Sequence, residues 1–498
     1  MAYTRWATVE ELKSKLTPIS YDSEIKKSGI PMMYDDNNLY VKDDETHTLV
    51  IGSTGSGKTQ STMLPQLRLA IKAQESFIVH DVKGEIYDVL VGELKKQNYN
   101  TIVINLDNPT VGNNFNPLSL PYELYKNGQK DKTIELLENV GYYFCCNETV
   151  NTSIDPFWNN SATALFIGLA LYLFDNAKEE EININSLLNL VSDFDKLSEQ
   201  VKKYDKTSAI YINLSNIILA PTETKSSILS VFVQNMRPFV SRETLSNMLS
   251  LSDFDMMNIQ KDKTALFIIS NNKSTSRRLI PLVIEECYYA ATSANDKIRR
   301  LNIVVDDFEN LIPIKDFNNM LTLARGCNIK FSIFIRSLLE LRNTYGVEGT
   351  EILKMLFGNI IYLLANDAET LEDISKLCGN QQTEKGLEPL ISVEDLKLLN
   401  NFEAIILMPR IYPVKTKLLP DYQIDWKFSD IAMEMISLII IAIVGMFSNV
   451  DNGFPLFHFR RLRMTHERLV SVLIGLFFPL VFILYIMVTN NNFMKYIG

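Results

Sequence analysis

The stretch HTLVIGSTGSGKTQ, residues 47–60, restricts the fold more than any other part of the sequence. It fits the pattern of a phosphate-binding loop, in which Gly52 and Gly57 enclose four residues and Lys58 and Thr59 follow directly. The glycines let the backbone turn tightly and point its N–H groups at phosphate oxygens. The apolar run before the loop is typical of a buried strand. The residues after it are typical of a helix, whose N-terminus favours an anion.

This pattern predicts a nucleotide site in the loop itself. Lys58 brings a positive charge to the β- and γ-phosphates, and Thr59 offers its hydroxyl to Mg²⁺. The alternative is a turn rich in glycine and serine that matches by chance, and the order of strand, loop and helix argues against it. The predicted nucleotide-binding residues are Gly52, Ser53, Thr54, Gly55, Ser56, Gly57, Lys58, Thr59 and Gln60.

A second sequence, RRLNIVVDDFENLIP, supplies the acidic residues that such a loop requires at the end of a neighbouring strand. Its apolar run leads into Asp306 and Asp307. We expect Asp306 to hold the shell of the Mg²⁺ ion and Asp307 to orient or deprotonate the attacking water. A strand that ends in a solvated acidic turn is the alternative.

The order of patterns along the chain predicts an α/β protein with an inserted helical domain. Residues 1–45 form an N-terminal segment, and residues 46–120 alternate strands with helices as the first part of a nucleotide-binding α/β domain. Residues 121–250 carry apolar side chains at helical spacing, which predicts an all-α domain. Strand patterns return in residues 251–425, the second part of the α/β domain, and residues 426–498 form a membrane-anchoring region.

The membrane prediction rests on Leu469–Val488, which contains no charged residue and is long enough to cross a bilayer. A buried core helix is the alternative. A weaker candidate, Ile431–Ser448, carries Glu434 and is either a second span or a helix that lies in the interface. Four arginines between the two segments favour a connecting segment that lies in the cytoplasm. If both segments spanned the membrane and the nucleotide domain lay in the cytoplasm, these arginines would instead lie outside. The sequence does not decide whether one or both segments span the membrane.

Charge and cysteine content exclude some other classes. The net charge of −10 argues against a surface coated with nucleic-acid-binding charge, although a local basic channel is compatible with it. The five cysteines show no C-x-x-C spacing, which predicts reduced thiols and no zinc site. The adjacent pair Cys145 and Cys146 is either buried, redox-active or lipid-modified. The charged N-terminus predicts no signal peptide.

Several motifs in order resemble the coupling proteins of type IV secretion and conjugation systems, the TraG/VirD type, which are similar to the FtsK/HerA translocases. The resemblance covers residues 45 to 425 approximately. The motifs that carry it are GSTGSGKT, HDVKGEIYD, NNFNPL, DPFWNNSATALF, LSDFDMMNI before the strand KTALFII, VVDDFENLIPI, ARGCNIKFSIFIRSLLELRNTYG and LANDAETLEDISKLCGN.

This resemblance implies a RecA-like P-loop ATPase core with an inserted all-α domain, to which the apolar segment Leu469–Val488 adds a predicted C-terminal transmembrane segment. The resemblance also implies ATP and Mg²⁺ as cofactors and a homo-hexameric ring at the bacterial cytoplasmic membrane, with the ATPase domain in the cytoplasm. The apolar segment places the predicted anchor near the C-terminus. The ring would receive a relaxase–DNA complex or a secreted effector, contact single- or double-stranded DNA, and deliver the cargo to the components of the secretion channel. Arg325 in ARGCN matches the arginine that reaches the neighbour's nucleotide; an ordinary surface salt-bridge or phosphate-binding residue is the alternative.

The sequence departs from the family pattern in three places. Arg336 stands where the family tends to have glutamine, which can sense the γ-phosphate. Asp307 stands where glutamate is usual, so its carboxylate is shorter by one methylene. The apolar helix is C-terminal, whereas the usual anchor of the family is an N-terminal pair of helices.

Other charged and aromatic residues have both a functional and an ordinary interpretation. Lys83 and Glu85 follow Asp81 at a strand end, where they either couple the nucleotide to the DNA path or form a solvated turn. The basic stretches 272–279 and 295–300 either line a pore or form a solvated face. Trp158 either stacks on a base or packs in the helical core.

The sequence therefore favours a membrane-anchored ATPase that couples ATP hydrolysis to the transfer of DNA or protein. Two alternatives stay open. One is a double-stranded DNA translocase like FtsK, and the other is a nucleotide-bound platform that recruits substrates without hydrolysis.

Overall fold

A computed structural model describes residues 3–20, 25–36, 38–145, 155–271, 273–294, 299–384 and 386–426. The strands in these ranges are β1 (Thr17–Ser20), β2 (Ile30–Tyr34), β3 (Asn38–Lys42), β4 (Thr48–Gly52), β5 (Ser76–Asp81), β6 (Asn100–Asn105), β7 (Thr264–Ile269), β8 (Leu301–Val305), β9 (Ile329–Ile335), β10 (Asn359–Leu364), β11 (Asn380–Thr383), β12 (Gly386–Pro389), β13 (Glu403–Leu407) and β14 (Val414–Lys417).

The α-helices in the same ranges connect these strands. They are α1 (Val9–Lys13), α2 (Leu64–Lys72), α3 (Glu85–Lys96), α4 (Ser119–Lys126), α5 (Lys130–Cys145), α6 (Pro156–Asn176), α7 (Ile184–Ser192), α8 (Phe194–Val201), α9 (Ala209–Ile218), α10 (Thr222–Val240), α11 (Glu243–Met248), α12 (Ser274–Ser293), α13 (Phe317–Ala324), α14 (Leu338–Leu356), α15 (Ala368–Cys378) and α16 (Val393–Lys397).

A mixed sheet of nine strands organises the described part of the chain, in the order β14-β13-β10-β4-β9-β8-β5-β7-β6. The seven strands from β10 to β6 run parallel, and β13 and β14 are antiparallel at one edge. Every residue of β4, β5, β7, β8 and β9 is buried, as expected where helices cover both faces of a parallel sheet. The predicted α/β class is therefore confirmed.

Parallel order places the carboxyl ends of β4, β5 and β8 at the same edge of the sheet. Ligands of open α/β sheets bind at this edge, in the crevice outside the strand ends. The phosphate-binding loop follows β4, Asp81 ends β5, and Asp306 follows β8. The topology thus gathers three distant parts of the sequence in one place.

A helical block, α4 to α11, lies in the chain between β6 and β7. Its central helix is α6, which is apolar around most of its circumference because α5, α9 and α10 pack against it. A methyl group on Gly168 of α6 would lie 2.5 Å from Cγ of the buried Leu214 on α9. The absence of a side chain at Gly168 therefore sets how closely the two helices approach.

The N-terminal strands β1, β3 and β2 form a small antiparallel sheet of their own. Two buried, positively charged side chains connect this segment to the amino ends of β8 and β9 in the central sheet. Arg300 donates a hydrogen bond of 2.9 Å to the carbonyl of Ser28, and Lys330 donates one of 2.8 Å to the carbonyl of Lys42. Burial lowers the pKa of Lys330 to about 8. Arg300, from the second predicted basic stretch, is therefore a buried structural residue and neither lines a pore nor forms a solvated face.

Within the described residues, one helix is long and apolar enough to cross a membrane, and it is α6. Most of α6 is buried inside the helical block, so its apolar composition is explained by packing. The two candidate spans predicted from the sequence, Ile431–Ser448 and Leu469–Val488, lie outside the described residues, and a membrane anchor there stays a prediction.

Candidate functional site

The loop after β4 has the backbone that its glycines predicted. Gly55 and Gly57 have φ angles of +82° and +90°, a region that favours glycine. The N–H of Ser53 donates to the carbonyl of Leu364 at 2.8 Å, which fixes the start of the loop to β10. A π-helical turn, Thr59–Met63, continues into α2. Such turns occur frequently at functional sites.

Lys58 lies almost buried at the centre of the loop. Its ammonium group donates a hydrogen bond to the carbonyl of Gly52, the first glycine of the motif. This contact keeps the charge within the loop, at the cavity that the loop lines. Lys58 is therefore placed to meet an anion that enters the loop.

The two aspartates after β8 line the same cavity as the loop. This cavity has a volume of about 490 Å³, and its lining includes every loop residue from Ser53 to Gln60 together with Asp306 and Asp307. Burial and the neighbouring Asp307 raise the pKa of Asp306 to about 6, while the charge of Lys58 acts in the opposite direction. The structure thus brings the predicted loop and the predicted acids together.

Backbone contacts determine how this acidic pair is presented. Asp307 adopts a left-handed φ of +47°, and its N–H donates to Oδ1 of Asp306 at 3.0 Å. Nδ1 of the buried His80 lies 2.7 Å from the carbonyl of Asp306. Burial lowers the pKa of His80, and a carbonyl can only accept, so the neutral ring carries its proton on Nδ1. His80 therefore fixes the backbone at Asp306, a role that the sequence analysis did not identify.

Asp81 also lines the cavity, and its hydrogen bonds give it a structural role. Its carboxylate accepts hydrogen bonds from the N–H groups of Gly84 and Tyr87, both at 2.9 Å, and so caps the start of α3. Burial raises the pKa of Asp81. Lys83 and Glu85 line the cavity mouth as an exposed pair 3.7 Å apart. Both interpretations of that pair therefore stay open.

Arg336 is held by carboxylates next to the acidic pair. Its Nε donates to Oε1 of the buried Glu309 at 2.9 Å, and its Nη2 donates to Asn310 at 2.9 Å. Nε also lies 3.1 Å from Oε2 of Glu340 and 4.0 Å from Oδ1 of Asp307. Arg336 does not belong to the lining of the cavity. The sequence analysis identified the position but not Glu309, which holds the guanidinium group.

Arg325 lies far from the cavity in the fold of its own chain. It is exposed in a short turn, Arg325–Cys327, that precedes β9, and so lies at the amino end of the strands. The loop and the aspartates lie at the carboxyl end. The structure does not bring Arg325 together with the other predicted catalytic residues of the same chain.

Two cavity residues, Asn401 and Phe402, were missed by the sequence analysis. They belong to the turn before β13 and match no motif. The pairing of β13 antiparallel to β10 brings this turn to the edge that carries the loop. Only the sheet order, which a single sequence does not provide, could have identified them.

The remaining predicted residues have ordinary structural surroundings. Trp158 packs against the main core. Arg278 of the first basic stretch is buried, and it donates to the carbonyl of Phe144 at 3.3 Å. Among the described residues no cluster of three metal-binding side chains occurs, and the described cysteines form no disulfide. One aspartate and one threonine are nevertheless the kind of partial ligand set with which Mg²⁺ binds alongside phosphates.

Comparison with known proteins identifies a match over most of the chain. A sequence model of the family described as "Type IV secretory system Conjugative DNA transfer" matches residues 5–386. No curated protein sequence was found to match. Solved structures of other proteins share the fold of this chain.

Two of these structures are of the plasmid coupling protein TrwB, one in complex with the non-hydrolysable ATP analogue ADPNP and one with ADP and Mg²⁺. Each is 17% identical, with a TM-score of 0.63, and covers 86% of this chain and 95% of TrwB. The third is VirB4 of Thermoanaerobacter pseudethanolicus, which is 12% identical with a TM-score of 0.51 over 79% of this chain and 96% of VirB4. At these identities the similarity establishes the fold.

Proposed function

Because the chain belongs to the conjugative DNA transfer family of type IV secretory systems, we propose that it is an ATPase that couples ATP hydrolysis to the transfer of DNA or protein. The observation that carries this proposal is that Lys58 of the loop lines the same cavity as Asp306 and Asp307. TrwB, which has the same fold, is described in complex with ADPNP and with ADP and Mg²⁺.

Each group at the site has a role in ATP hydrolysis. The loop from Ser53 to Gln60 holds the phosphates through N–H groups other than those of Ser53 and Ser56, which donate to Leu364 and Ser53. Lys58 neutralises charge on the β- and γ-phosphates. Thr59 and Asp306 are the residues that hold Mg²⁺. When bound, this ion neutralises the charge that develops on the phosphate oxygens. Asp307, which lines the same cavity as the loop and Asp306, is the residue that would orient the attacking water.

The residues present fit such a ligand on physical grounds. Asp306 is a buried carboxylate with a raised pKa, which indicates that its charge lacks full compensation within the chain. A divalent cation would supply that compensation. Lys58 donates to a backbone carbonyl, a contact that an incoming phosphate can replace with a stronger, charge-assisted one.

We further propose that the active unit is a ring of subunits. The position of Arg325 is the reason for this proposal. An exposed arginine at the amino end of the strands cannot reach the nucleotide of its own chain. In the proposed homo-hexamer, whose nucleotide sites lie between subunits, Arg325 would act on the nucleotide bound to a neighbour. In this proposal residues 46–120 and 251–425 bind the nucleotide, and residues 121–250 receive the cargo. Residues 426–498 anchor the chain at the cytoplasmic membrane. The cargo is a relaxase–DNA complex or an effector, passed to the secretion channel.

One observation favours a second function, that of a platform that binds ATP without hydrolysing it. The guanidinium group of Arg336 lies 4.0 Å from Oδ1 of Asp307, and this attraction restrains the carboxylate that must act on the water. If the restraint holds during the reaction, ATP is a structural ligand.

Phosphate release from ATP by the purified full chain separates these functions, with and without single-stranded DNA. The proposal expects turnover that Lys58→Ala and Asp306→Asn each abolish while both variants stay folded by circular dichroism. Exposed Lys132→Ala is a matched lysine control on α5, outside the cavity, and should retain full turnover. Turnover at the wild-type rate in Lys58→Ala refutes the site. Tight ATP binding without phosphate release supports the platform.

A further inference from the structure

The phosphate-binding loop lies between two different sets of side chains. On one side of β4 the sheet continues through β9 to β8 and β5, whose carboxyl ends carry Asp306 and Asp81. On the other side it continues through β10 to β13. Because β13 is antiparallel, its first residues lie at the edge where the parallel strands end. The turn of Asn401 and Phe402 therefore flanks the loop opposite to the aspartates.

Phe402 touches the loop directly. A methyl group placed on Gly57 would lie 2.8 Å from Cε1 and 3.0 Å from Cδ1 of the Phe402 ring. The ring therefore lies against the backbone of the last glycine of the motif, and it also lines the cavity. Glycine is required at this position both for its φ angle and for the space that the ring occupies.

The position of Phe402 is held by its surroundings despite an unfavourable backbone. Its φ angle of +66° is rare for a bulky residue. The carbonyl of Phe402 accepts a hydrogen bond of 2.8 Å from the N–H of Leu418, and its ring packs at a steep angle on Tyr422 with centroids 6.4 Å apart. Strain of this kind persists where surrounding structure enforces it, and it clusters at ligand-binding sites.

The direction of a bound nucleotide follows from the chemistry of the loop. Lys58 and the aspartates act at the γ-phosphate end. The phosphate chain then crosses the loop, and the α-phosphate with its nucleoside leaves at the other end. That end is the side on which Phe402 lies, half-buried and with part of its ring open to the cavity.

We propose that Phe402 is the platform on which the aromatic base of the nucleotide stacks. The proposal rests on the proposed binding of a nucleoside triphosphate at the loop and adds the subsite for its base. Stacking on an aromatic ring depends on the π-face of the base and not on its exocyclic groups. The subsite therefore supplies affinity for the nucleoside part of the ligand, independently of the contacts to its phosphates.

A structural alternative makes a different prediction. If Phe402 only braced Gly57, its removal would deform the loop and weaken every phosphate ligand alike. Inorganic tripolyphosphate carries the phosphate chain without a base, so it reports on the loop alone. The ratio of the dissociation constants of ATP and tripolyphosphate therefore isolates the contribution of the base.

The test is calorimetric titration of the full chain with ATP and with tripolyphosphate, each in the presence of Mg²⁺. Phe402→Asn removes the ring but tolerates the left-handed backbone. We expect its dissociation constant for ATP to rise about tenfold or more, the usual loss when a stacking ring is removed, with tripolyphosphate binding unchanged. Phe402→Tyr keeps the ring and should bind ATP like the wild type. Leu398→Ala, an exposed apolar residue just before this turn, is the matched control and should bind both ligands normally.

Each other outcome overturns a defined part of the proposal. Equal weakening of ATP and tripolyphosphate in Phe402→Asn makes Phe402 a brace and refutes the platform. Unchanged ATP binding in that variant refutes it as well. Wild-type protein that binds ATP no better than tripolyphosphate has no base subsite, although its phosphate site stands. Wild-type protein that binds neither ligand refutes the nucleotide site itself.

Discussion

Arg336 and Glu309 form a close ion pair next to Asp307 of the candidate site, with Nε of Arg336 2.9 Å from Oε1 of Glu309. The Glu309 side chain is 1% exposed and the Arg336 side chain 34% exposed. Burial raises the pKa of Glu309 to about 7, and the hydrogen bond from Arg336 acts in the opposite direction. The arginine therefore serves first to stabilise a buried carboxylate, and it reaches Asp307 only at 4.0 Å.

Arg336→Gln, which introduces the residue expected from the family resemblance, should destabilise this protein. The buried Glu309 would lose its charged partner, and we expect the free energy of unfolding at pH 8 to fall by about 1–3 kcal/mol, because a buried polar group left without its partner costs about that much. Urea denaturation followed by circular dichroism measures the loss. The double variant Arg336→Gln with Glu309→Gln should recover most of it, since no buried charge is left. A single variant as stable as the wild type would contradict this view of the pair.

Glu285 on α12 should make stability depend on pH. Its Oε1 accepts hydrogen bonds from the hydroxyl of Tyr143 and, at 2.9 Å, from the N–H of Lys315. Burial raises the pKa of Glu285 to about 7, from an ordinary value of 4.5. The folded state thus binds the proton more tightly than the unfolded state. The stabilisation is complete below the unfolded pKa and is lost as pH rises through about 7.

Glu285→Gln tests this sign. The amide keeps an oxygen that can accept both hydrogen bonds but does not ionise. We expect the variant to be about as stable as the wild type at pH 4.5 and more stable by about 1–3 kcal/mol at pH 8, from the linkage of about 1.4 kcal/mol per pKa unit. Glu348→Gln, at an exposed glutamate, is the control and should change stability little at either pH. A wild type that gains stability relative to Glu285→Gln as pH rises would refute the argument.

Two glycines in helices should respond to alanine in opposite directions. Gly168 has no space for a side chain because Leu214 of α9 fills it, whereas Gly92 of α3 has open space around it. Gly92→Ala should stabilise the protein by about 0.5–1 kcal/mol through helix propensity. Gly168→Ala should destabilise it by about 1–3 kcal/mol, because an inserted methyl group strains a packed core. Thermal unfolding measures both. Stabilisation by Gly168→Ala would show that the two helices separate at little cost.

The sequence predicted what depends on local patterns and missed what depends on sheet order. Strand, glycine loop and helix follow one another within a short stretch, so the backbone around Lys58 was predictable. The meeting of Lys58 with Asp306 was predictable because parallel strands end at one edge. Phe402 was not, because only the antiparallel pairing of β13 brings it to the loop. The structural roles of Arg278 and Arg300 in the basic stretches were not predicted either, because each donates to a buried carbonyl group that lies far from it in the sequence.

Arg325 should act on the nucleotide of a neighbouring subunit. It is exposed at the amino end of the strands, whereas Lys58 lies at the carboxyl end. Arg325→Ala should therefore bind ATP normally but lose at least about a hundredfold in turnover, since an arginine that stabilises the transferred phosphoryl group is worth about 10³–10⁵ in rate.

Mixing two inactive variants distinguishes action between subunits from action within one. A ring that contains both Arg325→Ala and Lys58→Ala subunits has some sites in which the intact loop of the first faces the intact arginine of the second. Such sites should hydrolyse ATP, so phosphate release should reappear on mixing and reach its maximum near equal proportions. Arg325→Lys, which keeps the charge but not the planar group, serves as the control and should not complement itself. An equimolar mixture as inactive as its components would exclude Arg325 as a residue that acts on the neighbour's nucleotide, whereas full turnover in Arg325→Ala alone would show that hydrolysis does not use it.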